Sequence, residues 1–214
     1  IQVNPGLGIH DYWLFVASGI LLNLTPGQDT FFILGRSIAN GVRIGIASVL
    51  GISVGSLIHT AMAAVGLSAV LATSASAFMV VKLAGAAYLV YLGVRMLTTR
   101  SSVEGLATSV DRTSVWTAFR DGIVTNVLNP KVALFFLALM PQFIDRDSNT
   151  KIAAFIVLGL TFITTGTLWC LTLAISAGSL RRFFVRNPTG LNVVSRAAGG
   201  VFVLLGLRLA VSRQ

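Results

Sequence analysis

Asp29 is the only carboxylate that falls well inside an apolar stretch of this chain, and it follows a proline in Asn23-Leu24-Thr25-Pro26-Gly27-Gln28-Asp29. A second apolar stretch carries Asn126-Val127-Leu128-Asn129-Pro130-Lys131, with a lysine directly after its proline. Proline has no amide hydrogen and clashes with the turn before it, so each break frees backbone carbonyls and amides. Inside a bilayer such groups are tolerated only where they are buried in protein or line a wet cavity. A carboxylate centred in hydrocarbon costs ~2.5–3.5 kcal/mol on insertion scales, so Asp29 must face the interior of a bundle. Interrupted segments at corresponding places in two halves of a membrane protein point to a binding site between them.

Two readings of these residues stand side by side. In one, Asp29 binds a substrate ammonium, exchanges a proton, or does both in turn. In the other it caps its half-helix, pairs with Lys131 and only holds the bundle together. A carboxylate in a first helical turn is favoured by the helix dipole, by ~0.3–1 kcal/mol when exposed. If the fourth span crosses the first antiparallel, the two breaks reach one depth, which makes an Asp29–Lys131 ion pair geometrically feasible. Asn23, Asn126, Asn129, Thr25 and Gln28 either bond the backbone groups that proline leaves unpaired or orient a substrate. The amides after Pro26-Gly27 and after Pro130 open two half-helices, whose N-termini suit a carboxylate. Gly27 allows close backbone approach. The candidate substrate-binding residues are therefore Asp29, Gly27, Gln28, Asn23, Asn126, Asn129 and Lys131. Asp29 doubles as the proton-coupling group, and Pro26 and Pro130 are the structural breaks.

The elements that must position these residues are membrane spans. The 214-residue chain is 55% hydrophobic and 11% charged, where a soluble domain carries roughly 25% charged residues. Six apolar spans are predicted at 11–35, 44–70, 76–97, 118–142, 152–177 and 193–211, each near the ~20 residues that cross a bilayer. No linker divides the chain, which reads as one transmembrane domain over 1–214. Of 16 basic residues, Arg36, Arg43, Arg95, Arg100, Arg112 and Arg120 flank the first and third connections. Arg181, Arg182, Arg186 and Arg196 flank the fifth. Arg146, Lys151, Arg208 and Arg213 lie on the other side. The positive-inside rule then puts both termini on the periplasmic side. The net charge of +9 is thereby a topology signal rather than a nucleic-acid footprint. The opening Ile1–Asp11 has no Lys or Arg, so the first span reads as a retained helix rather than a cleaved leader.

The remaining features are structural. One cysteine, Cys170, excludes an intrachain disulfide, and two histidines without a Cys/His cluster leave no metal site or cofactor to expect. His59 reads as a hydrogen-bonded interior histidine. Lys82 can snorkel to the interface along its own stem. Gly51-x-x-x-Gly55 is a small-residue packing face, and the Gly-rich second and third spans permit a homodimer. Tyr12, Trp116 and Trp169 suit interfacial belts, with a deeper position the alternative for Trp169.

The two halves repeat each other. Gly19, Asn23 and Pro26 correspond to Gly122, Asn126 and Pro130, with a one-residue slip, and Phe31-Phe32 to Phe135-Phe136. Lys82-Leu83-Ala84-Gly85 with Gly93-Val94-Arg95 parallels Arg196-Ala197-Ala198-Gly199 with Gly206-Leu207-Arg208. Three spans per half is odd, so the second half must enter the membrane from the opposite side. The fold class is then all-α, with six helices in two inverted three-helix repeats, about 11–97 and about 118–211, and broken first and fourth helices.

At these residues the chain resembles the LysE/RhtB family of bacterial amino-acid exporters (LysE family translocators, RhtB-like branch). The resemblance is carried by Leu24-Thr25-Pro26-Gly27-Gln28-Asp29, by Lys82-Leu83-Ala84-Gly85-Ala86-Ala87-Tyr88-Leu89 running into Leu92-Gly93, and by Gly122 through Asn129-Pro130-Lys131 to Phe135-Phe136. It implies a transporter in the bacterial inner membrane that exports homoserine, threonine, leucine-like compounds or lysine, by exchange with protons. The family commonly has a second proline where this chain has Gln28, which restores a backbone donor and implies a break of different shape. The alternative is a passive pore or small-ion exporter on the same bundle. An enzyme would need a redox cysteine pair, haem-ligating histidines or an acid–base cluster, and the sequence offers none of these.

Overall fold

The computed structural model describes residues 5–67, 75–98, 113–145 and 147–177, with 196, 200, 203, 204, 206, 207, 210 and 211. Among these residues the chain is helical, and the one piece of β-structure is an isolated antiparallel bridge between Ile9 and Ile144.

Helix α1, Tyr12–Leu24, stops at Thr25, which turns out to ψ 121° because the residue before a proline is pushed out of the helical region. Helix α2, Gln28–Asn40, begins after Gly27 and ends at Gly41, whose φ is +88°. That conformation costs glycine nothing and other residues a clash. A single residue therefore replaces the connection expected between the first two spans, and α3 follows directly as Val42–Met62. It continues as a π-helical segment, Ala63–Leu67. Helix α4 is Ala75–Thr98.

Helix α5, Val115–Val127, starts on Ser114, whose Oγ accepts a hydrogen bond from the Thr117 amide at 3.0 Å. Past the Asn129-Pro130 break, α6 covers Pro130–Leu134. It runs on through a π-helical stretch, Phe135–Leu139, and a 3-10 turn, Met140–Phe143. The two limbs meet at 47°. Helix α7 is Lys151–Ile175.

Five of the predicted spans thus match helices, the first and fourth as broken pairs. The sixth span lies outside the described residues apart from isolated positions, as do the third and fifth connections and the Lys82 side chain. So does most of the repeat between the third and sixth spans. Val42–Leu67 and Lys151–Ile175 are each long and apolar enough to cross a membrane, and the bent pair Val115–Val127 with Pro130–Phe143 makes a third such span. Large apolar side chains such as Val65, Leu168 and Ile175 are exposed on the outside of the bundle.

Lipid tails are as apolar as leucine, so helices in a bilayer associate through close packing and internal polar bonds rather than through a hydrophobic force. Among the described residues the most extensive helix contact is α3 against α5, and small residues make it. A Cβ on Gly51 would lie 2.0 Å from the Phe119 carbonyl oxygen, and one on Gly55 would lie 2.7 Å from the Asn126 Cβ. From the other side, a Cβ on Gly122 would stand 2.5 Å from the Ser48 carbonyl. Helix α7 crosses both α3 and α1 at glycines as well: Gly159 leaves room for Thr60, and Gly166 for Asn23. An aromatic cluster closes the centre, with Phe135 stacked on Phe162 at 4.6 Å, Phe136 edge-on to Phe162 at 5.5 Å and Phe15 5.7 Å from Phe135.

Gly51→Val should therefore abolish the folded state or lower its thermal midpoint sharply, because the neighbour it meets is backbone and cannot yield. Gly66→Ala, with nothing within 4 Å of its Cβ, should stay within about 0.5 kcal/mol of the parent. Thermal unfolding of the purified protein in detergent checks both.

Candidate functional site

The two breaks face each other, and each is repaired by a side chain from elsewhere in the bundle. Pro26 cannot bond the Leu22 carbonyl, and the chain leaves the helical path before the Thr25 carbonyl finds a partner within its own helix. The Lys131 ammonium donates to both, at 3.1 Å to Leu22 and 3.0 Å to Thr25. At the second break Pro130 leaves the Asn126 carbonyl, which accepts from the Asn129 amide at 3.0 Å and from His59 Nε2 at 3.2 Å. A carbonyl only accepts, so Nε2 is the protonated ring nitrogen in this bond. The His59 ring is also stacked on Phe136 at 5.6 Å.

The Asp29–Lys131 ion pair that the sequence made feasible does not form, because Lys131 donates to the Leu22 and Thr25 carbonyls instead. Asp29 Oδ2 accepts from Asn126 Nδ2 at 2.9 Å, while Asp29 Oδ1 is buried without a hydrogen-bond partner. Asn126 is itself fixed: its Oδ1 accepts from the Ser56 hydroxyl at 3.2 Å, and Gly55 presses on its side chain. The group just after each break thus reaches the end of the helix that precedes the other.

Between these groups lies a cavity of about 40 Å³. That exceeds the ~10–15 Å³ needed for one water, yet it is too small for a whole amino acid. Of the predicted residues, Asn23, Asp29, Asn126 and Lys131 line it. The other three stand outside it. Gln28 is exposed. Asn129 is buried and caps α6, its Oδ1 accepting from the Lys131 amide at 3.0 Å. Gly27 lies behind Lys131, where a Cβ would sit 3.0 Å from Nζ.

Sequence reasoning missed the far wall, which α3 and α7 supply: Ser53, Thr167 and Cys170, with Ile52, Phe162 and Ile163. Ser53 and Thr167 share a hydrogen bond of 2.8 Å. Asn23 Nδ2 is buried and without a partner. A further tie joins α2 to α5 away from the cavity. Arg36 pairs with Asp121 at 3.0 Å, donates to the Thr113 hydroxyl and lies over the Phe32 ring at 5.5 Å. The spacing Asp29 to Arg36, two turns along one face of a helix, was the available signal. Trp169, expected near an interface, has its Nε1 buried without a partner, while Trp116 is exposed.

The profile of the LysE type translocator family matches residues 20–213. The chain belongs to that family. Among curated relatives, an uncharacterized membrane protein of Vibrio cholerae is 29% identical over 209 residues, 97% of this chain and 100% of its own. The homoserine/homoserine lactone efflux protein of Salmonella typhimurium is 31% identical over 205 residues, 95% of this chain and 98% of its own. The leucine efflux protein of Salmonella choleraesuis is 27% identical over 203 residues, 95% of this chain and 96% of its own. No solved structure matches. Family membership and the apolar helices make this LysE-type chain a multi-pass membrane protein.

Lys131→Met should leave the Leu22 and Thr25 carbonyls without the ammonium. An unsatisfied buried carbonyl costs about 1–3 kcal/mol, so the folded state should weaken by at least that much in a denaturation series, with Lys131→Arg nearer the parent.

Proposed function

We propose that this LysE-type translocator exports amino acids of the homoserine, threonine, leucine or lysine type across the bacterial inner membrane, in exchange for protons. The observation that carries this reading is the free, buried oxygen of Asp29 inside a cavity framed by two broken helices. The names of the Salmonella typhimurium and Salmonella choleraesuis relatives, an efflux protein for homoserine and its lactone and one for leucine, support amino-acid-like cargo.

In the proposed cycle the substrate enters from the cytoplasm. Its ammonium meets Asp29 Oδ1, and its other end meets Asn23 Nδ2 beside the wall that Lys131 holds. Asn126 keeps Asp29 aimed into the cavity. Gly27, Gln28 and Asn129 shape the two half-helix starts that approach the substrate when the cavity widens. The cavity is too small for a whole amino acid as it stands, so the cycle needs an opening motion. Two inverted three-helix repeats, about 11–97 and about 118–211, rock against each other to expose the site to one face and then the other. Protonation of Asp29 on the periplasmic side displaces the ammonium, and the inward proton resets the carrier. Both termini are periplasmic in this scheme, and the apolar exterior permits a homodimer. The protein works as a carrier and not as an enzyme.

Counterflow in proteoliposomes preloaded with mixed amino acids, with and without an imposed pH gradient, tests the reading. Saturable, stereoselective exchange accelerated by the gradient is expected; a passive pore would show neither saturation nor stereoselectivity. Asp29→Asn, at equal expression, should lose the pH dependence and bind more weakly. A hydrogen bond to a charged group contributes about 1.5–3 kcal/mol, on the order of tenfold to a hundredfold in apparent affinity. An Asp29→Asn carrier that still exports against a gradient with unaltered pH dependence would contradict the proposal.

A further inference from the structure

The polar groups left free in the cavity define the charge type of ligand it recognises, given the site reading above. Lys131 is the basic residue among those lining the cavity, and its ammonium is committed. It donates at 3.1 and 3.0 Å to the two carbonyls at the end of α1. Its tail fills the space over Gly27, where a Cβ would lie 3.0 Å from Nζ and 3.3 Å from Cε. Turning it toward a ligand would leave the Thr25 carbonyl without its donor and the Leu22 carbonyl with the Thr25 amide alone, at 3.2 Å.

Four further polar side chains on the wall, those of Ser53, Thr167, Ser56 and Asn126, are also engaged. Ser53 and Thr167 are bonded to each other at 2.8 Å, and Ser53 also donates to the Val49 carbonyl at 3.0 Å. Ser56 donates to Asn126, and Asn126 donates to Asp29 Oδ2. Two cavity-lining atoms are buried and unpartnered: Asp29 Oδ1, an acceptor, and Asn23 Nδ2, a donor. A carboxylate oxygen calls for a cationic donor such as a primary ammonium. An amide N–H serves a neutral carbonyl as readily as a carboxylate, since neither its charge nor its geometry demands an anion.

We propose that the cavity recognises a primary ammonium beside a hydrogen-bond acceptor and does not require that acceptor to be charged, so that α-amino amides are ligands alongside free amino acids. The ammonium is the obligatory group and the carboxylate a replaceable one. Asn23 is the residue that reads the acceptor, held in place against α7 by Gly166, where a Cβ would lie 3.3 Å from its Nδ2 and Oδ1.

Equilibrium binding to the intact protein in lipid nanodiscs tests this without a gradient that a weak base could collapse. The probes are radiolabelled L-leucine and L-homoserine at pH 6, where both amide competitors are protonated. L-leucinamide and L-homoserinamide should displace the matching probe with inhibition constants within tenfold of the free amino acid. The des-amino analogue 4-methylpentanoate should not displace leucine. Asn23→Leu should weaken the amide and the amino acid by similar factors, while Lys131→Arg should leave their ratio unchanged. If an amino acid binds and its amide is more than tenfold weaker, a cation reads the carboxylate and the inference is overturned. If neither amino acid binds to folded protein, the site reading fails, and this inference fails with it.

Discussion

Two carbonyls orphaned by proline, those of Leu22 and Asn126, govern how the centre of this bundle is built. Each loses its helical partner and keeps one amide from the next turn, Thr25 at 3.2 Å for Leu22 and Asn129 at 3.0 Å for Asn126. Each takes a side-chain donor as well, at a depth where unsatisfied backbone capacity is costly. Lys131 serves the first and His59 the second. Each repair brings in a residue from a distant part of the chain, so the breaks are stitched to the rest of the fold. A helix that would otherwise be weakest at its proline becomes the point where the bundle is tied.

Several features follow from that stitching. With Lys131 turned toward α1, Asp29 has no cation against it, and it takes one hydrogen bond from Asn126 while keeping one oxygen free. That bond needs Asn126 at the right depth, and the close contact of α3 with α5 supplies it. Gly51, Gly55 and Gly122 let the two backbones touch, which carries His59 to the Asn126 carbonyl and Ser56 to its side chain. Helix α2 is then a short rod bounded by the break at Gly27 and the turn at Gly41. It is tied to α5 at two points, through Asp29 near the cavity and through Arg36 with Asp121 two turns on. Loosening the inner tie by binding an ammonium at Asp29 would act on the same rod that the outer tie restrains.

Much of this was legible in the residues, and the rest was hidden for physical reasons. Pro26 and Pro130 announced both breaks, because proline acts on its own helix and needs no partner to do so. Gly51 and Gly55 announced a close packing face, though not that α5 would occupy it. The placement of Asp29, Asn23, Asn126 and Lys131 around one cavity could be argued from the repeat. The partner of Lys131 could not, since an ammonium serves a carboxylate or two carbonyls equally well and only coordinates say which is nearer. Ser53, Thr167 and Cys170 read as ordinary span residues, because a wall contributed by the facing sides of α3 and α7 has no signature in either helix alone. The π-helical turns at Ala63–Leu67 and Phe135–Leu139 were equally invisible, since one extra residue per turn barely alters an apolar pattern. Asn129, polar beside a break, suits either repair of the break or contact with a substrate, and its oxygen caps α6.

Cys170 is the one cysteine in the chain and lines the cavity, so its alkylation by a small thiol reagent reports directly on whether that space holds the cargo. An amino acid that exchanges should also slow Cys170 alkylation, in proportion to carrier occupancy, and Asp29→Asn should shift this protection to higher amino-acid concentrations. An alkylation rate unchanged at saturating concentrations of an exchanged amino acid would place the binding site elsewhere and contradict the proposed site.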